Sequence, residues 1–156
     1  MTATITVSAS CAAQATGSGD EFSWSGSAAL DIGTIQTEND KLDTGLESIT
    51  LTSSESSETI SMNISGQLRT VVIKGRFTAT TRAALRTFSQ NLKLIANYQL
   101  SNASDSTVIY TNTNSVLAKV STGLTCMVKN ISINASAQQS IAEFIYTITL
   151  TETGGL

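Results

Sequence analysis

The segment from Ile141 to Thr151 carries Ala142, Phe144, Tyr146, Ile148 and Leu150 at every second position. A period of two is the signature of a half-buried β-strand, because a helix repeats its apolar stripe every three to four residues. The run is the longest regular alternation in the chain, and it is expected to form a central strand of an antiparallel sheet. Other segments share the period. Thr59 to Ser65 puts Ile60, Met62 and Ile64 in one phase; Gly66 and Gln67 then read as a turn into Leu68 to Phe77, with Gly75 a bulge or bend, so a hairpin is expected. Val108 and Tyr110 oppose Ile109. Ser115 to Ser121 reads as a further strand, and Leu124 to Ala135 changes phase near Lys129 and Asn130, which predicts a bulge.

One stretch has the other period. From Thr80 or Thr81 to Asn97, the residues Ala84, Leu85, Phe88, Leu92 and Ile95 recur at spacings of three and four, and either threonine can cap the first turn. The first part of the chain is weaker. Ala3 to Ser8, Phe22 to Trp24, Leu30 to Ile35 and Ser48 to Thr52 read as short strands, between the loop-like stretches QATGSGDE, TENDKLDTG and SSESSE. The sum is a mainly β chain: an antiparallel β-barrel or sandwich with one packed α-helix at about 80–97. A single domain over 1–156 is expected, with 1–58 an acidic, loop-rich arm and 59–156 the body.

Composition narrows the chemistry. The chain has no His, no Pro and two Cys among 156 residues, with 22 Ser and 24 Thr. Without His, Ser-His-Asp and Cys-His nucleophile systems and His-ligated metal sites cannot be built. Cys11 and Cys126 fit no CxxC pattern and read as buried small hydrophobes, a disulfide between them being the alternative. No apolar run spans a bilayer, and MTATITVSAS lacks the basic flank of an export signal, so neither a membrane span nor a secretory leader is expected. Gly17, Gly19 and Gly26 do not form a phosphate loop. The acids Glu38, Asp40, Asp43 and Glu47 lack the order of a calcium loop. Neither catalytic residues, nor a metal, nor a cofactor is expected, and the chain reads as no enzyme.

The net charge of -3 conceals a split. Residues 1–58 hold nine carboxylates and one cation; residues 59–156 hold eight cations and three carboxylates. Such halves can pair within a chain, or between copies in a head-to-tail contact that closes as a ring. The acidic candidates for a subunit interface are Asp20, Glu21, Glu38, Asp40, Asp43 and Glu47. The basic ones are Arg69, Lys74, Arg76, Arg82, Arg86 and Lys93, the last three sharing one face of the predicted helix, where a plain solvated face is the alternative.

The order of SMNISGQLRTVVIKGRF, the helix TTRAALRTFSQNLKLIANY, the crossing to STVIYT and the closing SIAEFIYTITLTE resembles the fold of phage tail tube and distal tail (baseplate) proteins and related injection machines. The resemblance covers about two thirds of the chain. It implies a structural subunit that joins the sheets of identical neighbours into a ring, commonly a hexamer, beside other tail or baseplate proteins. It places the chain in a virion tail assembled in the host cytoplasm, with DNA as non-adhering cargo. Two other readings compete: an adhesin-like β-sandwich using Trp24, Tyr98, Tyr110 and Tyr146 as contacts, and a capsid decoration protein.

Overall fold

The computed structural model describes residues 3–7, 11–12, 23–24, 28–52, 57–63, 67–101, 107–134 and 143–153. In chain order they form β1 (Thr4–Val7), β2 (Cys11–Ala12), β3 (Ser23–Trp24), β4 (Ala28–Asp31), β5 (Thr34–Asp43), β6 (Leu46–Thr52), β7 (Ser57–Asn63), β8 (Leu68–Thr78), α1 (Arg82–Ser101), β9 (Val108–Thr111), β10 (Leu124–Asn134) and β11 (Glu143–Glu152). Seven strands make one antiparallel sheet in the order β4-β1-β9-β10-β11-β8-β5. As the alternation predicts, β11 lies inside the sheet and buries Phe144, Tyr146, Ile148 and Leu150. The remaining strands form two ribbons, β2-β3 and β6-β7.

The two margins of this sheet, β4 and β5, are separated in sequence only by Ile32 and Gly33. The sheet is therefore rolled until its margins meet at that link. No ladder joins β4 to β5, so the expected barrel is not closed by hydrogen bonds. The link is fixed from several sides. Ile32 N donates to Ala3 O at 3.0 Å, Gly33 N donates to Asp31 Oδ1 at 2.7 Å, and the Tyr146 hydroxyl donates to the Ile32 carbonyl. Gly33 has φ +77, and a Cβ there would lie 2.7 Å from the Arg76 carbonyl oxygen, so the corner requires glycine.

The inward face of the roll holds the core, and its two ends differ. At one end α1 packs on β10, and Phe88 stacks on Phe77 with ring centroids 3.7 Å apart while also meeting Phe144 and Tyr146. Phe88, Leu92 and Ile95 are buried as their spacing predicts, Leu85 is half-buried, and Ala84 is exposed. Thr81 Oγ1 accepts from Ala84 N at 3.2 Å, the expected cap. At the other end the segment 112–122 lies over Arg69, Glu38 and Glu152.

Several local readings are corrected. Residues 59–65 and 68–77 do not pair with each other: β7 pairs β6, and β8 lies between β11 and β5. Because β5 and β8 also pair, up to Asp43↔Leu68, the β6-β7 ribbon is an outward prolongation of the β5/β8 hairpin. TENDKLDTG is mostly strand, because the ladder with β8 outweighs the weak β-propensity of its residues. Leu30 to Ile35 is split by the corner at Ile32 and Gly33. Ser115 to Ser121 forms turns, held by bonds such as Leu117 N to Ser115 Oγ at 3.1 Å and Ser115 N to Asn112 O at 3.0 Å. The bulge near Lys129 is present, between Val128 and Asn130. Gly75 itself pairs regularly with Tyr146; the irregularity lies across from it in β5, between Ile35 and Thr37. QATGSGDE lies outside the described residues.

Candidate assembly surface

The bulge at Gln36 decides where the acids of β5 go. With Ile35 opposite Gly75 and Glu38 opposite Ile73, both face inward, so Asp40 and Leu42 follow in the same phase. Glu38 thus meets the far side of the roll. Tyr110 Oη and Ser115 Oγ each donate to it at 2.5 Å, and Asn112 Nδ2 donates at 2.9 Å. Asp40 receives a two-pronged bond from Arg69, Nε and Nη2 each at 2.9 Å. Arg69 also donates to Glu152 at 3.3 Å and to the Ala118 carbonyl at 3.0 Å, and Lys119 Nζ reaches Glu152 at 2.8 Å.

The side chains of Arg69 and Glu152 are 6% and 4% exposed, whereas Asp40 and Lys119 keep access to solvent, so this is a structural network with a buried centre and a wet rim. The Asp40 bond raises the Arg69 pKa above its ordinary value, against the opposing pull of burial. Burial, followed by the bond to Glu38, raises the Tyr110 phenol, and burial raises the Tyr146 phenol. Burial also pushes the Cys126 thiol up to about 12, and Cys126 is free and fully buried, the small hydrophobe expected. Tyr110 and Tyr146 are core residues, which removes them as surface contacts of an adhesin-like module.

The interface candidates therefore fall into groups. Glu38, Asp40 and Arg69 already have partners within their own chain. Arg76 is half exposed and lies 3.6 Å from Glu143. Asp43, Lys74, Arg82, Arg86 and Lys93 are exposed. Asp20 and Glu21 lie outside the described residues. Glu47 lies on β6, opposite Met62. Among the described residues, neither Arg86 nor Lys93 has an ion-pair partner.

Two features that the sequence reading did not single out complete the surface. Among the described residues, nothing ladders the outer margin of β5 along its ten residues. At the foot of the β6-β7 ribbon, Leu42, Leu46 and Leu68 are each about half exposed, and Val116 at the apex of the 112–122 turns is 98% exposed. The phase change at Gln36 has no sequence marker, which is why Glu38 and Asp40 read as surface residues.

No protein-family model matches the sequence, and no curated protein matches it. Among solved structures, the chain is similar to one in the tail of an empty gene transfer agent particle with C6 symmetry, at 14% identity and a TM-score of 0.45, covering 97% of this chain and 91% of that one. It is also similar to a chain in the virion of a native gene transfer agent particle, at 13% identity and a TM-score of 0.45, covering 81% of this chain and 85% of that one.

Proposed function

We propose that the chain is a non-enzymatic structural subunit of a phage tail or tail-like injection machine, built to assemble with identical copies into a ring or tube within the virion. The observation that carries this reading is the β6-β7 ribbon. It prolongs the β5/β8 hairpin beyond the sheet and packs substantially on no other described element. A two-stranded hairpin alone is marginally stable in water, so such a ribbon calls for a partner surface. The open margin of β5 and the leucines at the ribbon's foot are also available to a neighbour. The resemblance read from the order of elements supplies the class of assembly: a tube or distal ring, commonly six-fold, through which DNA passes without adhering.

Size-exclusion chromatography with light scattering tests this. Rings or tubes are expected at low salt, shifting toward smaller species at high salt as charge pairing is screened. A chain that stays monomeric across salt and millimolar concentration overturns the reading.

A further inference from the structure

Residues 112–122, between β9 and β10, form a body of their own across one end of the roll. Among the described residues their backbone bonds close on the segment itself: Asn112 N donates to Val120 O at 3.1 Å, Ser115 N to Asn112 O at 3.0 Å and Val120 N to Leu117 O at 3.3 Å. The segment ladders with no described strand. Of its apolar residues Val120 is fully buried, Leu117 is half-buried, and Val116 and Ala118 are exposed. The side-chain bonds that fasten it to the sheet are polar. Asn112 Nδ2 and Ser115 Oγ donate to Glu38, Arg69 donates to the Ala118 carbonyl, and Lys119 Nζ donates to Glu152. We propose that 112–122 is a strap that opens as one unit about Thr111 and Gly123 while the sheet beneath it stays folded. The device belongs to the single chain and stands whether or not copies assemble.

Opening leaves none of these charges alone. When the strap lifts, Glu38 keeps the Tyr110 hydroxyl, and Arg69 keeps both Asp40 and Glu152. Breaking a bond is costly chiefly where a buried group is left unpaired, and here each group retains a partner. The ladder is also untouched, because β9 and β10 stay paired from Tyr110↔Leu124 to Val108↔Cys126. The closed strap holds strain as well. Lys119 has φ 68, a left-handed conformation that a non-glycine residue keeps only where its surroundings impose it, and the bond to Glu152 helps to impose it. Gly123, with φ +120, adjoins the strap and supplies the freedom of a hinge. A segment bonded internally and little buried opens at less cost than the whole fold. Once open, it uncovers Val120 and the end of the core to which that residue belongs, an apolar surface that the closed chain withholds.

Hydrogen exchange on the full-length chain, resolved by residue, tests this, with circular dichroism as the folding control. The amides of Asn112, Ser115 and Val120 should share one protection factor, about a hundredfold below that of the amides bonded between β10 and β11. Glu38→Gln weakens the fastening and should raise exchange at all three roughly tenfold. Phe88→Leu lies in α1, away from the strap, and loosens the closed and open forms alike. It should speed the β10-β11 amides roughly tenfold while the strap amides stay within about twofold of the parent. Strap amides that match the β10-β11 amides in protection, or that follow them in Phe88→Leu, would show that the strap opens only when the whole chain unfolds. Three unrelated protection factors, or indifference to Glu38→Gln, would likewise overturn the single fastened unit.

Discussion

Gly75 is bare because Tyr146 needs the room: a Cβ built there would fall on the phenol that bonds the Ile32 carbonyl. Gly75→Ala should therefore cost about 3 kcal/mol through overpacking, seen as a drop of roughly 10 °C in Tm. Adding Tyr146→Phe should recover part of that loss, because the two sites share one space and their effects do not add. Glu38 provides a second case. It accepts from three side chains, so Glu38→Leu should orphan them and cost about 3 kcal/mol in a urea titration, whereas Glu38→Gln keeps one acceptor and should cost less. The pH response follows from the buried acids that stay protonated. Cys126, Tyr110 and Tyr146 all have pKa values raised by folding. Groups of this kind contribute stability that is complete below their unfolded pKa and is lost as pH rises toward the folded value. For Cys126 that window runs from its ordinary 9.0 to about 12. Unfolding free energy should thus fall above about pH 9, and less steeply in Cys126→Val. A flat profile from pH 8 to 11 would contradict this.

At the scale of elements, the helix depends on its cap and one anchor. Thr81→Ala should cost about 1 kcal/mol, and Phe88→Ala about 4, because Phe88 joins α1 to Phe77, Phe144 and Tyr146. These elements were legible in the sequence for a physical reason. α1, β9 and β11 each bury one face against a fixed partner, so their apolar residues recur with the period of the element. Where a strand borrows its order from a neighbour, the pattern fails. β5 is a polar strand laddered to β8, and its bulge puts Ile35 and Glu38 on the same side, which strict alternation forbids. The pairing of β7 with β6 was equally hidden, because alternation identifies a strand and not its partner. Val116, Ala118 and Val120 alternate like a strand, yet the segment is turned by the bonds that Asn112 Oδ1 and Ser115 Oγ accept from Asn114 N and Leu117 N and by Arg69 donating to the Ala118 carbonyl.

At the scale of the whole molecule, the charge split resolves into two parts. Part of the acidic excess, at Glu38 and Asp40, is matched inside the chain by Tyr110, Asn112, Ser115 and Arg69. Arg86 and Lys93 of α1, exposed and without an ion-pair partner among the described residues, remain for a neighbour, and with them the salt sensitivity of assembly. Charge reversal of Arg86 together with Lys93 should therefore weaken self-association more at 50 mM salt than at 500 mM, with β-type circular dichroism unchanged. Equal weakening at both salts would assign the contact to shape alone. The corner at Ile32 and Gly33 sets a mechanical condition on any such array. Because the first and last strands of the roll are one uncut length of backbone, the sheet cannot unroll when a neighbour adds to the open margin of β5. Each copy must enter the array already curled.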